Sequence, residues 1–266
     1  MIKAAYGIIC FQTSDCPHMT IENEDDIKML RIIGRIVYET LLLMKKSLEP
    51  GMTTLELDLI GQKNLEKYQA NSAPKVTYDF PGYTCISVNE EAAHGIPSSR
   101  QILAGDVVNI DVSAELNGYF GDTGGTFLVP PVDPRMEYLC QSTRKALRRA
   151  MGVAKHGAKI NLIGKAIEQT ARKSGFVTLR DLSSHGVGRS LHEEPHSIPN
   201  YFDKYDQRIL KEGQVITIEP FLSTSAQETQ TENDGWTLTT GKGNFSAQYE
   251  HTMVITKGKP LIMTAL

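Results

Sequence analysis

Cysteine is scarce and poorly placed for cross-linking, with four thiols at positions 10, 16, 85 and 140 and no Cys-x-x-Cys pair. That argues against a disulfide framework and suits a reducing compartment, so a cytoplasmic protein is expected. Cys10, Cys16 and His18 have no fourth metal-binding partner nearby and read as ordinary side chains. An excess of charge is missing too. The net charge is −3 and the sequence pI about 6.2, which leaves no global field to draw the chain to nucleic acid or an anionic membrane. No sequence-specific nucleic-acid binding is expected. The one basic run, Arg144-Lys145 with Arg148-Arg149, reads as the solvated face of a helix. Transient docking on a polyanion such as a ribosome is the partnership it would suit. Long apolar runs are absent as well. The stretch 4–11 is too short to span a bilayer and no small-residue cleavage pattern follows it, so neither a membrane anchor nor a secretory signal is expected.

What is present is a chain of 266 residues, 40% hydrophobic, able to bury one large core or two closely packed halves. Its organising stretch is residues 106–129, DVVNIDVSAELNGYFGDTGGTFLV. Two β-branched and aromatic arms flank Asn117-Gly118, the dipeptide that supplies two positive-φ residues to a tight hairpin turn. If Leu116 faces Tyr119, then Asp111 faces Gly124 and Ser113 faces Asp122. Asp111 and Asp122 become diagonal neighbours on one face, roughly 7–8 Å apart at the backbone. Carboxylates that close inside a protein shift each other's pKa unless a cation lies between them. On a solvated strand face the same pair would mean nothing, and the hairpin alone does not decide.

Acidic residues at 22–26 precede an amphipathic stripe of Ile27, Leu30, Ile33, Ile36 and Val37, predicting a long helix that ends near Pro50-Gly51. Thr53 or Thr54 caps a second helix towards Tyr68. Residues 76–80 and 85–88 read as strands, separated by Pro81-Gly82 and followed by His94-Gly95-Ile96-Pro97. After Pro130-Pro131 the order begins again. Asp133-Pro134 opens a helix to about Lys155, and another runs over 161–174. Strands follow at 214–219 and 248–255, with a turn at Asn233-Asp234-Gly235-Trp236 between them. Two helices then strands, twice over, predict two related α+β halves, and the string Leu-Ile-Gly recurs faintly at 59–61 and 162–164.

Further chemistry-bearing residues fall in the second half. Glu219 shares a strand face with Thr217, Glu250 opens an apolar strand, and His185 lies among glycines that let backbone approach a ligand closely. Each has a bland explanation: an edge residue, a lysine partner, a turn histidine. Taken with Asp111 and Asp122 they amount to four negative charges and one imidazole, which two divalent cations would bring close to neutrality. Such a mixed O/N set suits Mn, Fe, Co or Zn, and two ions roughly 3.5–4 Å apart would polarise a carbonyl as in a two-metal hydrolase.

The segments AAHGIP, NIDVSAELNGYFGDTGGTF, SHGVGRSLHEEPH, ITIEP and AQYEHT resemble, in order and spacing, the five signatures of type I methionine aminopeptidases. The resemblance covers the chain from about Met19 onward. It implies a pita-bread fold of two pseudo-symmetric α+β halves around a dinuclear metal site, and a single catalytic domain over 20–266. It also implies that Asp111 is a terminal ligand of one metal, that His185 and Glu219 are terminal ligands of the other, and that Asp122 and Glu250 bridge both. His94 and His192 match the histidines that contact substrate, and Phe80, Cys85, Leu191 and Trp236 fall where the family builds its methionine pocket. The implied reaction is removal of the initiator methionine from nascent chains, by a monomer. Two departures stand out: Ser184 precedes His185 where glycine is usual, and Leu191 stands where many members carry phenylalanine. The 34 positions from His185 to Glu219 leave no room for the helical insertion of the type II enzymes.

The rival within the enzyme class is an X-Pro aminopeptidase or prolidase on the same scaffold. The rival outside it is a metal-free binding protein that has kept the fold. Residues 1–18 precede the first predicted helix and match none of the signatures, and Met19 is a plausible alternative start. Deleting 1–18 is therefore expected to leave peptidase activity and melting temperature nearly unchanged, and a large loss of either would show that the segment packs on the core.

Overall fold

Helix signals at the start of the chain are stronger than charge alone suggests. In the computed structural model, which describes residues 21–265, α1 (Glu24–Ser47) begins at Asn23. The Asn23 side chain accepts from the backbone N–H of Asp25 and Asp26, and the Asp26 carboxylate accepts from the N–H of Asn23, a reciprocal capping box. Acidic residues in the first turn and Lys45-Lys46 in the last complement the helix dipole. A second capping box, Thr53 with Glu56, starts α2 (Thr54–Lys67). Both helices belong to a core that includes Leu30, Ile33, Leu57, Ile86 and Ile110.

The predicted hairpin forms with the predicted register. Val107–Leu116 pairs with Tyr119–Leu128 so that Leu116 faces Tyr119, Asp111 faces Gly124 and Ser113 faces Asp122. Asn117 and Gly118 both have positive φ, 53° and 78°. The other edge of Val107–Leu116 carries Asn71–Ser72 and Cys85–Val88, which sets Cys85 opposite Asp111.

Residues 76–80 are not a strand. Residues 76–78 belong to a short helix, α3 (Ala73–Tyr78), which is followed by Asp79 in the left-handed region at φ 60°. Val76 and Thr77 suggest a strand locally, but Pro74 in the first helical turn has its φ set for a helix. The helix is anchored at its base, where Ser72 Oγ donates to the Tyr83 carbonyl at 2.7 Å.

In the second half α4 (Pro134–Val153), capped by Asp133, packs on α5 (Asn161–Lys173) and on the strands behind it. The exposed basic run lies on α4, with Arg144 over the ring of Tyr249. Leu139, Ile160, Ile163, Ile167 and Ile216 lie in a second core. A five-stranded antiparallel sheet runs, in spatial order, Leu261–Ile262, His251–Val254, Val215–Ile218, Ser183–Gly186 and Glu193–Pro199. The strand expected over 248–255 is two strands, Ser246–Gln248 and His251–Val254, interrupted at Tyr249 and Glu250. The interruption comes from the seam between the halves. Here Glu250 N–H donates to the Gly124 carbonyl at 3.0 Å, and Thr123 Oγ1 donates to the Glu250 carbonyl at 2.9 Å. Thr252 Oγ1 donates to the Asp122 carbonyl at 2.8 Å while accepting from the Asp122 N–H. Residues 1–18, Met19 and the side chains of Cys10, Cys16 and His18 lie outside the described residues. No described helix is long and apolar enough to cross a membrane.

Close backbone approach controls how α1 sits. A Cβ added at Gly34 would lie 2.4 Å from the Met263 carbonyl oxygen, so nothing larger than hydrogen fits there. Gly152 of α4 has open space around it. Gly34→Ala is expected to destabilise the fold by about 1–3 kcal/mol through overpacking. Gly152→Ala should instead stabilise it by up to about 1 kcal/mol through helix propensity. Urea unfolding of the two variants checks both signs.

Candidate active site

Asp111 and Asp122 project from the two arms of the hairpin, and His185, Glu219 and Glu250 reach them from the second half. All five line one cavity. His185 Nε2 stands 3.8 Å from Asp122 Oδ2 and 3.5 Å from Glu219 Oε1. Ligand atoms of Asp122, His185 and Glu250 lie within 4.8 Å of one another, the spacing of groups that can share an ion. His185 Nδ1 lies 2.9 Å from the Gly186 carbonyl, which can only accept, so the proton sits on Nδ1 and the Nε2 lone pair faces the carboxylates. Gly186 is needed for chain packing: a Cβ there would lie 2.3 Å from the Glu194 carbonyl oxygen. The glycine beside His185 thus serves the neighbouring strand, where the sequence had suggested approach to a ligand.

The electrostatics are severe. Burial pushes the Asp111 carboxyl up to about 6, and burial with repulsion from neighbouring carboxylates raises Asp122, Glu219 and Glu250 well above the usual range. Among the described residues no lysine or arginine lines the cavity, and Asp122 Oδ1 is buried with no hydrogen-bond partner. Four carboxylates, a correctly protonated imidazole and an orphaned buried oxygen fit a divalent cation site.

The remaining sequence-predicted residues line the same cavity: His94, His192, Phe80, Cys85, Leu191 and Trp236. Phe80 meets Trp236 edge to face, with centroids 5.1 Å apart. His94 follows the strand Glu91–Ala93 and has a positive φ of 56°. Burial lowers its imidazole to about 4 and holds His192 well below its ordinary value, so both are neutral near pH 7. The His192 ring lies 4.2 Å from that of His185.

Sequence reasoning missed the groups that hold these side chains. Thr217 Oγ1 donates to Glu250 Oε1, Gln248 Nε2 donates to Glu250 Oε2 at 3.0 Å, and Asn109 Nδ2 donates to Gln248 Oε1 at 2.9 Å. Ser184 Oγ accepts from the Glu219 N–H at 2.8 Å, a role for the hydroxyl that replaces the usual glycine. Asp58 of α2 is buried and accepts from Tyr83 N–H, Thr84 N–H and Thr84 Oγ1, which seats Cys85 in the wall. Alternation had already set Thr217 on the face of Glu219, though not as a partner of Glu250, and Gln248, two residues before Glu250, could have been flagged in the same way. Asp58 and the cavity-lining Tyr78 carried no such signal.

The model of metallopeptidase family M24 matches residues 28–257. Methionine aminopeptidase 2 of Bacillus subtilis is 48% identical over 249 residues, covering 93% of this chain and all of the relative. The methionine aminopeptidase of Borreliella burgdorferi is 37% identical, over 92% and 98% of the two chains. Among solved structures, methionine aminopeptidase from Thermotoga maritima superposes with a TM-score of 0.89 at 32% identity, over 93% of this chain and 100% of that one. The prolidase of Pyrococcus furiosus gives 0.74 at 23% identity and is covered over 66% of its length, a likeness of fold alone.

If Asp122 and Glu250 each serve two ions, they should tolerate replacement less well than a residue serving one. Asp122→Asn and Glu250→Gln are expected to retain less Mn or Co per chain after dialysis and to lose hydrolysis by orders of magnitude. Full metal content with near-normal turnover in either variant would remove that residue from the ligand set.

Proposed function

The chain belongs to metallopeptidase family M24, with its pita-bread fold, and from that premise we propose that it is an aminopeptidase that removes the N-terminal methionine of newly made proteins. The observation that carries this reading is that Phe80, Cys85, Leu191 and Trp236 line the same cavity as the carboxylates and His185, and we take them as the walls of an apolar slot for the substrate side chain. An unbranched thioether fills such a slot where β-branched side chains enter poorly, and its sulfur gains from the aromatic edges of Phe80 and Trp236. Leu191 in place of an aromatic ring makes one wall softer.

Family M24 enzymes act with divalent metal, and here two ions are proposed, with Asp111 on one, His185 and Glu219 on the other, and Asp122 and Glu250 shared. Bound there, divalent metal supplies Lewis-acid polarisation of the scissile carbonyl and a nucleophile at neutral pH. The protein's own contribution is placement. Thr217 and Gln248 hold the Glu250 carboxylate, Ser184 holds the Glu219 backbone, and the slot fixes the methionine side chain so that its amide lies over the carboxylates. His94 and His192, neutral through burial, come from opposite halves and flank that amide with N–H groups for the carbonyl oxygen and the departing nitrogen. Action on nascent chains favours a cytoplasmic monomer, and the exposed basic run on α4 is the surface offered for passing contact with the ribosome. Mn, Fe, Co and Zn all suit the donor set.

Hydrolysis of Met-Ala-Ser against Ala-Pro-Ala, with Mn or Co resupplied to stripped protein, separates this function from an X-Pro peptidase. Cleavage of the first alone is expected, and cleavage of the second alone would overturn the reading. Because one methylene or branch discriminates by only about 1–3 kcal/mol, N-terminal norleucine should also be released. Equal rates for Met and Lys would rule out the slot. His94→Ala and His192→Ala should keep their metal yet lose turnover roughly 10²–10⁴-fold. Metal lost in step with activity would make either histidine a ligand.

A further inference from the structure

Tyr78, at the end of α3, lies with its hydroxyl 2.5 Å from Nδ1 of His192, the two rings tilted at 44° with centroids 5.5 Å apart. The partners are 114 residues apart in sequence and come from opposite halves. Each is independently held. The short strand before α3, Asn71–Ser72, pairs with Glu115 and Ala114 of the central hairpin, and the Asp79 N–H closes the helix on the Lys75 carbonyl at 3.0 Å. On the other side, Ser190 Oγ donates to the His192 carbonyl at 2.9 Å. The buried Glu193 carboxylate accepts from the N–H groups of Arg189 and Ser190 at 3.1 and 3.2 Å. Arg189 in turn donates to Asp26 of α1 and to the Tyr119 hydroxyl. The Tyr78–His192 contact therefore joins two braced elements in the wall of the cavity.

A neutral imidazole carries one N–H and one lone pair, and a hydrogen bond at one nitrogen dictates what the other presents. Towards an imidazole nitrogen a phenol is the better donor than acceptor. With the Tyr78 hydroxyl donating to Nδ1, the ring proton of His192 is on Nε2, and the nitrogen that Tyr78 does not engage is a donor. A donor there stabilises an oxygen on which negative charge develops, whereas the opposite tautomer would set a lone pair against it. We propose that Tyr78 is a positioning residue that locks His192 in the Nε2–H tautomer, so that His192 acts on the scissile carbonyl as a hydrogen-bond donor. The assignment rests on His192 contacting the substrate, as in the function proposed above.

The test uses the zinc-loaded enzyme labelled with ¹⁵N-histidine, the His192 signals being identified by their loss in His192→Gln. The native protein should show His192 protonated at Nε2, and Tyr78→Phe should show a mixture of tautomers with an unchanged melting temperature. In kinetics on Met-Ala-Ser, Tyr78→Phe should lower kcat roughly 10-fold, the size of coupling expected between touching groups, with KM little changed. The same substitution made in a His192→Ala background should cost nothing further. An Nδ1–H tautomer in the native protein, or equal losses in both backgrounds, would overturn the proposal and leave Tyr78 as a wall of the pocket. If no methionyl peptide is cleaved at all, the proposed function falls, while the nitrogen shifts still decide the tautomer.

Discussion

Four carboxylates buried against one another are the constraint on which the rest of this structure depends. Lost hydration makes each of Asp111, Asp122, Glu219 and Glu250 resist ionisation where it stands, and the charge of neighbouring carboxylates adds to it at Asp122, Glu219 and Glu250. A fold that holds them together must supply donors from the protein and positive charge from cations. The donors seen are uncharged, Thr217 and Gln248, and among the described residues no lysine or arginine lines the cavity. A fixed ammonium or guanidinium would satisfy the same carboxylates and compete with a metal for them, so leaving the charge uncompensated keeps the site selective for cations that arrive from outside.

Neither half holds a complete site. Asp111, Asp122, His94 and the Phe80–Cys85 wall come from the first, while His185, His192, Glu219, Glu250, Leu191 and Trp236 come from the second. The two meet along the strand Tyr119–Leu128, whose backbone exchanges hydrogen bonds with residues around Glu250 and Thr252. Val187, Val215 and Val254 of the second half are buried in the core beneath α1 and α2, so the seam is packed as well as bonded. The cavity wall is tied to the hairpin in the same way: the strand Cys85–Val88, whose Cys85 lines the cavity, pairs directly with the strand that carries Asp111.

Much of this was legible in the chain. Asn117-Gly118 admits few turn geometries, and a turn with both residues at positive φ sets the register of every pair down both arms, which is why the Asp111–Gly124 and Ser113–Asp122 pairings were readable. Both helix pairs were readable from apolar periodicity and caps. The family was readable because five short segments, each carrying a residue that lines the cavity, stand in one order. The errors came where tertiary contacts override local preference. Val76 and Thr77 favour a strand, yet Pro74 and the Ser72–Tyr83 contact make that stretch a helix. The apolar run 248–255 favours one strand, yet the bonds that the Glu250 backbone makes to the hairpin divide it.

By itself, then, the sequence determined the local geometry and the inventory: the hairpin register, the helix pairs, and the carboxylates, histidines and apolar side chains that the fold gathers around one cavity. These follow from dihedral preferences and from residue types, both of which are properties of short segments. Only the tertiary structure decided which atoms meet. Ser184 steadies Glu219, Gln248 and Thr217 grip Glu250, Asp58 seats Cys85, and Tyr78 reaches His192 across 114 residues. Hydrogen bonds of that kind depend on distances of a few tenths of an ångström between elements remote in the chain, and no pattern within a segment encodes them.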